Sequence, residues 1–396
     1  MTRHALLVLV AATFAACTRT HTVHESDGAR PDGGTSRIDA GTRDAGPPIG
    51  RECAEAAPVD VLFVIDNSND MAEQISDLAA RFPAFVRALL EPPDRDDDGE
   101  PDWLPVTDLH LGVVTTDMGT GGFTVPTCRE PDFGDDGILR TQGNVAISGC
   151  MATYPTFLTA RPGVSDPDAT AEDLRCVADM GTGGCGFEQP LDATLKAITR
   201  SSSPVRFFRG TRGHADGANG GFIRDDSLLA VVLLTSEEDC SVADPELFNP
   251  SSATYSGNLN LRCFMYPRAV HPVERYVNGF IDVRTDRPEH LVYAAIVGVP
   301  TDLVADPARI DYDVILADER MQERVDPVDP NRLVASCNVP GRGLAFPPRR
   351  LVDVARGLSD RGAGTVVQSI CQEDLTLPVE AITALIGRHA CSRFLE

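Results

Sequence analysis

Residues 59–71 read VDVLFVIDNSNDM, and this stretch decides the fold. Its first seven residues are almost entirely apolar and rich in β-branched side chains, which is typical of a parallel strand that is covered on both faces. Residues 71–90 then show helical spacing. The apolar side of this predicted helix is formed by Ile75, Leu78, Phe82, Phe85 and Leu89. The segment therefore predicts a buried strand that leads directly into an amphipathic helix.

Strands and helices alternate along the rest of the chain. This alternation predicts an α/β domain with a doubly wound, mostly parallel sheet and helices on both faces. Further strands are predicted at residues 109–114, 228–234, 291–297 and 365–370, and further helices at residues 189–199, 273–283, 350–358 and 378–389. Four connecting segments are long for a compact domain and are predicted to be insertions or loops: residues 119–187, 200–226, 240–270 and 300–347.

The composition argues against several classes of function. The chain has 396 residues, of which 59 are acidic and 35 are basic, and its formal net charge is −24. Nucleic-acid binding and attachment to anionic lipid through a basic patch both need clustered cations, so this balance disfavours them. Lys196 is the single lysine, which leaves almost no candidate for Schiff-base chemistry or for a phosphate-binding loop. The negative charge is compatible with cation binding and with basic partners.

The first residues predict export. The apolar run at residues 5–16 is too short to span a bilayer and is typical of a signal peptide. Residues 14–17, FAAC, resemble a bacterial lipobox, although Phe14 stands where an aliphatic residue is usual. The resemblance implies a signal peptide at residues 1–16, cleavage before Cys17 and lipidation of its thiol. The alternative is an ordinary signal peptide in which Cys17 is incidental.

The resemblance to Gram-negative lipoproteins also implies a location. Thr18, rather than Asp, follows the cysteine, which implies an outer-membrane lipoprotein of the cell envelope that faces the periplasm or the surface. Residues 17–50 are rich in Gly, Asp, Thr, Arg and Pro and show no apolar periodicity. They predict a lipidated cysteine and a flexible tether before a domain at residues 51–396.

Ten cysteines remain after Cys17. An even number of cysteines in an exported chain predicts five disulfides, but their pairing cannot be deduced from sequence alone. Most of them fall in connecting segments, where the closure of long loops gives the largest stabilisation. The ten are Cys53, Cys128, Cys150, Cys176, Cys185, Cys240, Cys263, Cys337, Cys371 and Cys391.

An oxygen-rich loop follows the first predicted strand. Asp66, Ser68 and Asp70 come directly after its apolar run. Ligands of open parallel sheets bind beyond the carboxyl ends of the strands, and carboxylate and hydroxyl oxygens suit a hard divalent cation. The loop therefore predicts a metal site. The alternative is that Asp66 and Ser68 serve only to cap the following helix.

This loop resembles the corresponding loop of the von Willebrand factor type A (VWA) domain, whose first strand ends in Asp-x-Ser-x-Ser. Three later phrases are similar to those of exported bacterial VWA proteins, at residues 111–117 (LGVVTTD), 184–189 (GCGFEQ) and 234–240 (LTSEEDC). The resemblance covers roughly residues 58–300. It implies a VWA or Rossmann-like fold with a metal-ion-dependent adhesion site for Mg²⁺, Mn²⁺ or Ca²⁺.

By this resemblance, Asp66 and Ser68 match the first two metal ligands of the family. Asp70 stands where the family has a third ligand, normally Ser, and Ser236 stands where it has its last acidic ligand. The family's threonine ligand has no match, and Glu188 is the nearest oxygen donor. The remaining candidates for the metal are Asp117, Glu188 and Glu237.

The altered ligand set leaves two interpretations open. In the family's usual site the cation keeps few negative ligands, so it accepts a carboxylate from a protein partner. The extra carboxylate of Asp70 either satisfies the metal internally and weakens that last bond, or replaces the charge that is lost at Ser236.

A second acidic loop lies between the first predicted helix and the second strand. Asp94, Asp96 and Asp98, followed by Gly99, have the spacing that begins a calcium loop, with Asp102 as a closing ligand. An EF-hand is excluded, because Pro105 stands at its twelfth position. The alternative is an exposed charged linker.

These patterns together predict a lipid-anchored envelope protein that binds a protein partner without catalysis, through a divalent cation and a carboxylate of the partner. Two alternatives remain. One is an envelope scaffold with a vestigial metal site, and the other is a metal-dependent hydrolase built on Asp66, Asp117, Glu237 and His271. The sequence contains neither a Gly-x-Ser-x-Gly turn nor a His-Glu-x-x-His pair.

Overall fold

The computed structural model describes residues 55–391 apart from positions 286 and 341. These residues belong to one compact unit, residues 47–396. Among the helices that are described, none has the length and apolarity needed to cross a membrane. The predictions that lie outside the described residues are the signal peptide at residues 1–16, the lipidated Cys17, the tether at residues 17–50 and a disulfide at Cys53.

The described chain contains eight strands and eight α-helices, in alternating order through most of its length. The strands are β1 (Val59–Ile65), β2 (Leu109–Thr115), β3 (Leu158–Ala160), β4 (Leu228–Leu234), β5 (Leu291–Val297), β6 (Cys337–Val339), β7 (Gly343–Ala345) and β8 (Gly364–Ser369). The helices are α1 (Ala72–Leu90), α2 (Pro167–Ala178), α3 (Pro190–Ile198), α4 (Arg262–Met265), α5 (Val273–Val283), α6 (Tyr312–Ala317), α7 (Arg349–Ser359) and α8 (Thr376–Ala390).

Six strands form one sheet in the order β3-β2-β1-β4-β5-β8, and β6 and β7 form a separate hairpin. All neighbours in the large sheet are parallel except β3, which is antiparallel to β2. Ile65, the last residue of β1, is level with Thr115 of β2 and with Leu234 of β4. The loops that follow these three strands therefore start side by side at one edge of the sheet.

Helices cover both faces of this sheet. Phe63 of β1 packs edge-on against Phe82 of α1, in a core that also includes side chains of α2 and α8. Leu62 points to the opposite face, where Leu195 of α3 and Phe280 of α5 lie in a second core with side chains of α7. All of β1 is buried, and each large apolar side chain that is buried contributes about 1.5–3 kcal/mol to folding. The predicted α/β architecture with a mostly parallel sheet and flanking helices is confirmed.

The boundaries of the predicted core elements agree with the structure to within two residues. The segment 119–187, predicted to be a loop, instead contains β3 and α2. β3 has only three residues and pairs only with β2, so it is too short to show periodicity. α2 does have a start signal, because Asp166 accepts hydrogen bonds from the first turn and Pro167 follows it. The short elements α4, α6, β6 and β7 also lie in segments that were predicted to be loops.

Disulfides close loops in the long segments, and one of them, Cys337–Cys371, joins a long segment to the residues after β8. Each pair closes a loop of 23 to 57 residues, and closure of loops of this length stabilises a fold by about 3–4 kcal/mol in the chain-entropy account. Cys391 is disulfide-bonded as well. The prediction of disulfide-stapled insertions is thus confirmed for the described cysteines. The four pairs are Cys128–Cys185, Cys150–Cys176, Cys240–Cys263 and Cys337–Cys371.

A buried ion pair fixes the start of β1 to the segment before β4. Asp60 is fully buried and accepts hydrogen bonds from Arg224 Nε at 2.9 Å and Nη2 at 2.6 Å. Ser227 Oγ donates to the same carboxylate, and Arg284 donates to Ser227 Oγ at 3.1 Å. A charge is tolerated inside this strand because it is paired and hydrogen-bonded.

Replacement of Asp60 by Asn tests this network. We expect Asp60→Asn to lower the free energy of unfolding by about 2–4 kcal/mol, because it removes the buried counter-charge of Arg224 and leaves that guanidinium only its longer contact with Asp108, at 3.3 Å. Urea unfolding followed by circular dichroism measures the change. The control is Asp306→Asn, whose exposed pair with Arg309 should contribute less than ~0.5 kcal/mol. Equal losses in the two variants would contradict a structural role for the network.

Candidate metal centre at the carboxyl edge of the sheet

Asp66 is the first residue after β1 and is fully buried. Its backbone N–H donates to the Leu234 carbonyl at 2.9 Å, which extends the pairing with β4 by one residue. Its Oδ1 accepts from the Ser68 N–H at 2.8 Å, and its Oδ2 accepts from Thr235 Oγ1 at 2.7 Å. Two neutral donors therefore hold the carboxylate in a fixed orientation at the edge of the sheet.

Asp66 and Ser68 do not cap the following helix. Met71 is the N-cap residue of α1, and no side chain accepts a capping hydrogen bond there. Ser68 Oγ instead donates to Asp70 Oδ1 at 3.0 Å. Ser236 Oγ donates to Asp70 Oδ2 at 3.4 Å. The alternative that this motif serves only as a helix cap is wrong.

Glu188 enters the same edge from the loop that precedes α3. Its backbone carbonyl accepts from the Cys240 N–H at 2.8 Å, and the next N–H, of Gln189, donates to the Thr116 carbonyl at 3.0 Å. The side chain is only 2% exposed. Its Oε1 is buried without a hydrogen-bond partner among the described residues. An unsatisfied buried oxygen is costly, and it is the type of atom that a cation would bind.

Glu237 reaches the site from the loop after β4. Its backbone N–H donates to Thr235 Oγ1 at 3.1 Å, so the hydroxyl that orients Asp66 also fixes this loop. Thr235 is a site residue that the sequence analysis missed. It stands within the quoted phrase 234–240, but nothing in the sequence tells which of its polar residues points toward β1.

Four carboxylates lie near one another at this edge, and their negative charges repel: those of Asp66, Asp70, Glu188 and Glu237. Burial, and to a smaller extent the Asp70 charge, raise the pKa of Asp66 to about 6. Burial, followed by the charges of Asp66 and Asp70, raises the pKa of Glu237 to about 8, although a hydrogen bond with the Glu188 side chain acts to lower it. Burial, and then the charges of Glu237, Asp66 and Asp70, hold the pKa of Glu188 well above its usual range. A nearby positive charge would reverse these shifts.

The described residues supply no such charge. Within the described ranges, no Lys, Arg or His side chain lies within ion-pair distance of any of the four carboxylates. The donor set consists of carboxylate and hydroxyl oxygens, which Mg²⁺, Mn²⁺ and Ca²⁺ prefer over nitrogen or sulfur. This donor chemistry suits a divalent cation, and the residues that would hold it are Asp66, Ser68, Asp70, Glu188 and Glu237. Among the described residues, no three of these carboxylates have oxygens within 4.8 Å of one another, so the side chains would draw together when they bind an ion.

A glycine brings the Glu188 loop close to the first loop. The Gly184 N–H donates to the Asn67 carbonyl at 2.9 Å. A Cβ atom at Gly184 would lie 2.1 Å from Asn67 Oδ1, which is too close for any side chain. The Cys128–Cys185 disulfide follows immediately and lies in an apolar cluster with Phe187. Within the sequence phrase 184–189, Gly184 and Cys185 thus fix the backbone that carries Glu188 beside the loop after β1.

Asp117 belongs to a different group of side chains. It accepts from the Gly119 N–H at 2.8 Å, and its own N–H donates to Thr115 Oγ1 at 3.2 Å. Burial raises its pKa to about 6, and the carboxylates that add to this shift are Asp135 and Glu130. The structure therefore does not bring Asp117 into the cluster around Asp66.

The residues proposed for a hydrolase are also separated. His271 lines a cavity of about 330 Å³ together with Asp192 and Arg206. Burial and the neighbouring Arg275 and Arg350 lower the pKa of His271 to about 4. The carboxylate cluster lines another cavity, whose described lining contains no histidine. An imidazole for general acid or base chemistry is thus not part of the carboxylate site.

The second acidic loop is exposed. Carboxylate oxygens of Asp94, Asp96 and Asp98 lie within 4.8 Å of one another and could hold a cation. They also accept backbone hydrogen bonds within the loop, for example from the Gly99 N–H to Asp94 Oδ2 at 2.9 Å. Asp102 is not in this group. Its Oδ2 is instead paired with Arg95 Nη1, at 3.1 Å. Asp102 as a closing ligand is therefore not supported by the arrangement.

No protein-family model matches this chain, and no curated protein matches it. The resemblance to VWA domains stays a prediction from the residues that carry it. The structure itself establishes an α/β architecture with a mostly parallel sheet and acidic side chains clustered at its carboxyl edge.

The raised pKa values predict an unusual dependence of stability on pH. Since the folded chain keeps protons on Asp66 and Glu237 up to pKa values of about 6 and 8, it binds more protons than the unfolded chain above pH 4. Stability from these groups is therefore present at low pH and is lost as the pH rises to about 8. With a chelator present to remove bound metal, we expect the free energy of unfolding to fall by ~2 kcal/mol or more between pH 5 and 8.5.

Urea unfolding at pH 5, 7 and 8.5 measures this slope. We expect Glu237→Gln to flatten it, since a neutral amide has no proton to lose. Glu373→Gln, at an exposed position, is the control and should keep the slope of the unmodified chain. If the free energy of unfolding depends on pH equally in Glu237→Gln and in the control, the raised pKa of Glu237 does not cause the dependence.

Proposed function

We propose that this protein is an exported, lipid-anchored, VWA-like binding protein of the cell envelope. In this proposal it binds a protein partner without catalysis, and a divalent cation takes part in the contact. The observation that carries the proposal is the group of four mutually repelling carboxylates at the carboxyl edge of a parallel sheet, with the unpartnered Glu188 Oε1 among them. A structural role alone does not account for this group, because it opposes folding.

The position of the site supports the VWA-like assignment. Ligands of open parallel sheets bind beyond the carboxyl ends of the strands, and the two residues that the VWA resemblance matches directly, Asp66 and Ser68, lie there. Long helices cover both faces of the sheet, as a doubly wound fold requires. Fold alone does not establish function, so the argument rests on the carboxylates.

A cation bound by this group would offer a coordination position to a carboxylate of the partner. Asp66 is held by Ser68 and Thr235, so its orientation does not depend on the ligand. Asp70 is exposed and accepts a hydrogen bond from Ser236. This contact favours one of the two interpretations of the altered ligand set. Asp70 supplies its charge beside Ser236, where the family has its last acidic ligand.

The arrangement gives the hydrolase alternative little support. Hydrolysis needs a group that moves a proton at neutral pH, placed within reach of the cation. Glu237, whose pKa is raised to about 8, is in this proposal a ligand of the cation itself. His271 lies in another cavity, and Asp117 interacts with Asp135 and Glu130. A scaffold with a vestigial metal site is the remaining alternative, and metal binding distinguishes it from the proposal.

Calorimetric titration of Mg²⁺, Mn²⁺ and Ca²⁺ into the chelator-stripped chain tests the metal centre. We expect one binding event that Asp66→Asn abolishes and that Glu188→Gln weakens at least about tenfold, since each removes a charged oxygen ligand. The matched control is Asp96→Asn in the exposed acidic loop, which should leave this event unchanged. Circular dichroism confirms that each variant is folded.

Two results would contradict the proposed centre. Loss of all binding in Asp96→Asn alone would move the metal to the loop at residues 94–98. No binding of any of the three ions to any form would remove metal-assisted binding from the proposal and favour the envelope scaffold.

Lipid attachment is tested separately at Cys17. We expect the chain made in a Gram-negative host to incorporate labelled palmitate and to sediment with membranes, because one acylated amino-terminal cysteine would anchor it. Cys17→Ser should lose the label and appear in the soluble envelope fraction, whereas Cys53→Ser, the control, should keep the label. Labelling of Cys17→Ser would show that the thiol is not the anchor.

A further inference from the structure

A cavity of about 400 Å³ opens beside the carboxylate cluster. This volume lies in the range of small-molecule and side-chain pockets. Asp70, Glu188 and Glu237 line it, and so do three further carboxylates, Glu238, Asp239 and Glu323. The metal centre described above does not use these three. The apolar part of the lining includes Phe187, Phe264, Pro267, Val270, Leu333 and Phe346.

The lining carries an excess of negative charge. Six carboxylates and two guanidinium groups line the cavity, and both guanidinium groups are engaged. Arg332 Nη2 lies 3.1 Å from Asp326 Oδ2, outside the lining. Arg350 Nε lies 3.1 Å from Asp239 Oδ2.

Glu238 and Glu323 face this cavity without an ion pair. Glu238 accepts only backbone hydrogen bonds, from Arg350 N–H at 2.7 Å and Asp239 N–H at 2.8 Å. The Glu323 carboxylate has no hydrogen-bond or ion-pair partner within the part of the chain that the structure describes; the positive charges of Arg349 and Arg350 act on it only from beyond ion-pair distance. The cavity therefore contains two carboxylates that a cationic group would stabilise.

We propose that this cavity binds an arginine side chain of the protein partner, with the guanidinium against Glu238 and Glu323 and the stem along the apolar wall. The inference rests on the proposed binding function, because it names a chemical feature of the partner for the same site. A planar guanidinium has five donors and can serve two carboxylates at once. An aliphatic stem that lies on an apolar surface while its head is bound to polar groups is normal for arginine.

The unpartnered Oε1 of Glu188, in the same lining, is independent of the Glu238–Glu323 pair and also points to a missing positive charge. The net charge of −24 agrees with a basic partner, since complementary charge speeds association and selects against acidic partners. A cation at Asp66, Asp70, Glu188 and Glu237 would leave Glu238 and Glu323 as the remaining acceptors.

Two amides test the inference on the unmodified chain. The probes are N-acetyl-L-arginine amide and N-acetyl-L-citrulline amide, which have nearly the same shape and differ in charge. Saturation-transfer NMR titrations with Mg²⁺ present measure both dissociation constants. We expect the arginine amide to bind at least about tenfold more tightly, because charge-assisted hydrogen bonds are lost in citrulline. Equal affinities would overturn the proposal.

Two variants locate the binding. Glu323→Gln should weaken the arginine amide about tenfold. The matched control is Glu319→Gln, which removes the same charge from an exposed side chain paired with Arg324 outside the cavity. It should leave the affinity within about twofold. A loss of affinity that is equal in the two variants would overturn the proposal, because it would reflect only the overall charge.

The same titration in EDTA separates this inference from the metal centre. Arginine amide should also bind without metal, because Glu238 and Glu323 line the cavity but are not ligands of the proposed metal centre. Binding of the arginine amide in a chain that binds no metal would uphold the cavity and contradict the metal centre. Binding of Mg²⁺ that Glu323→Gln removes, together with displacement of arginine amide by Mg²⁺, would assign Glu238 and Glu323 to a second metal and overturn the proposal.

Discussion

The alignment of three parallel strand ends is the constraint on which the site depends. Ile65, Thr115 and Leu234 are level in the sheet, so the residues that follow them emerge at one edge. Asp66 then receives the hydroxyl of Thr235, and the carbonyl after β2 holds the loop that carries Glu188. A shift of one residue in any of these pairings would turn the side chains to the other face. The buried apolar strands therefore determine the distances between the carboxylates.

Two buried charges elsewhere in the described chain show the usual arrangement, in which a buried charge has a partner of opposite sign. At the opposite edge of the sheet, Asp60 has Arg224 as its partner. Lys196 is fully buried, and it donates to Asp136 and, at 2.9 Å, to Thr211 Oγ1. The carboxylates around Asp66 differ from these two, because they face one another. Local conflicts of this kind are expected at functional sites, where the rest of the fold supplies the stability that they remove.

The sequence predicted the parallel strands and large helices because their apolar patterns are long and continuous, as in the run 59–65. It predicted Asp66, Ser68, Asp70, Glu188 and Glu237 as site residues because they stand just after strands or before a helix. It could not separate Asp117 from them, because Asp117 also follows a strand. What distinguishes it is the turn through Gly119, to which its carboxylate is hydrogen-bonded. The cavity also escaped prediction, because Glu323 comes from a distant segment.

Repulsion among the four carboxylates could in principle be relieved by movement of a loop, but the Glu188 loop is held from three sides. The Cys128–Cys185 disulfide precedes it, Gly184 donates to the first loop, and Cys240 donates to the Glu188 carbonyl. Cys240 is itself joined to Cys263. These bonds fix the backbone that carries Glu188, so the adjustment needed to bind a cation is confined to the side chains. The disulfides in the long segments therefore serve the site as well as the fold: they keep the charge concentrated where a cation or a basic side chain can neutralise it.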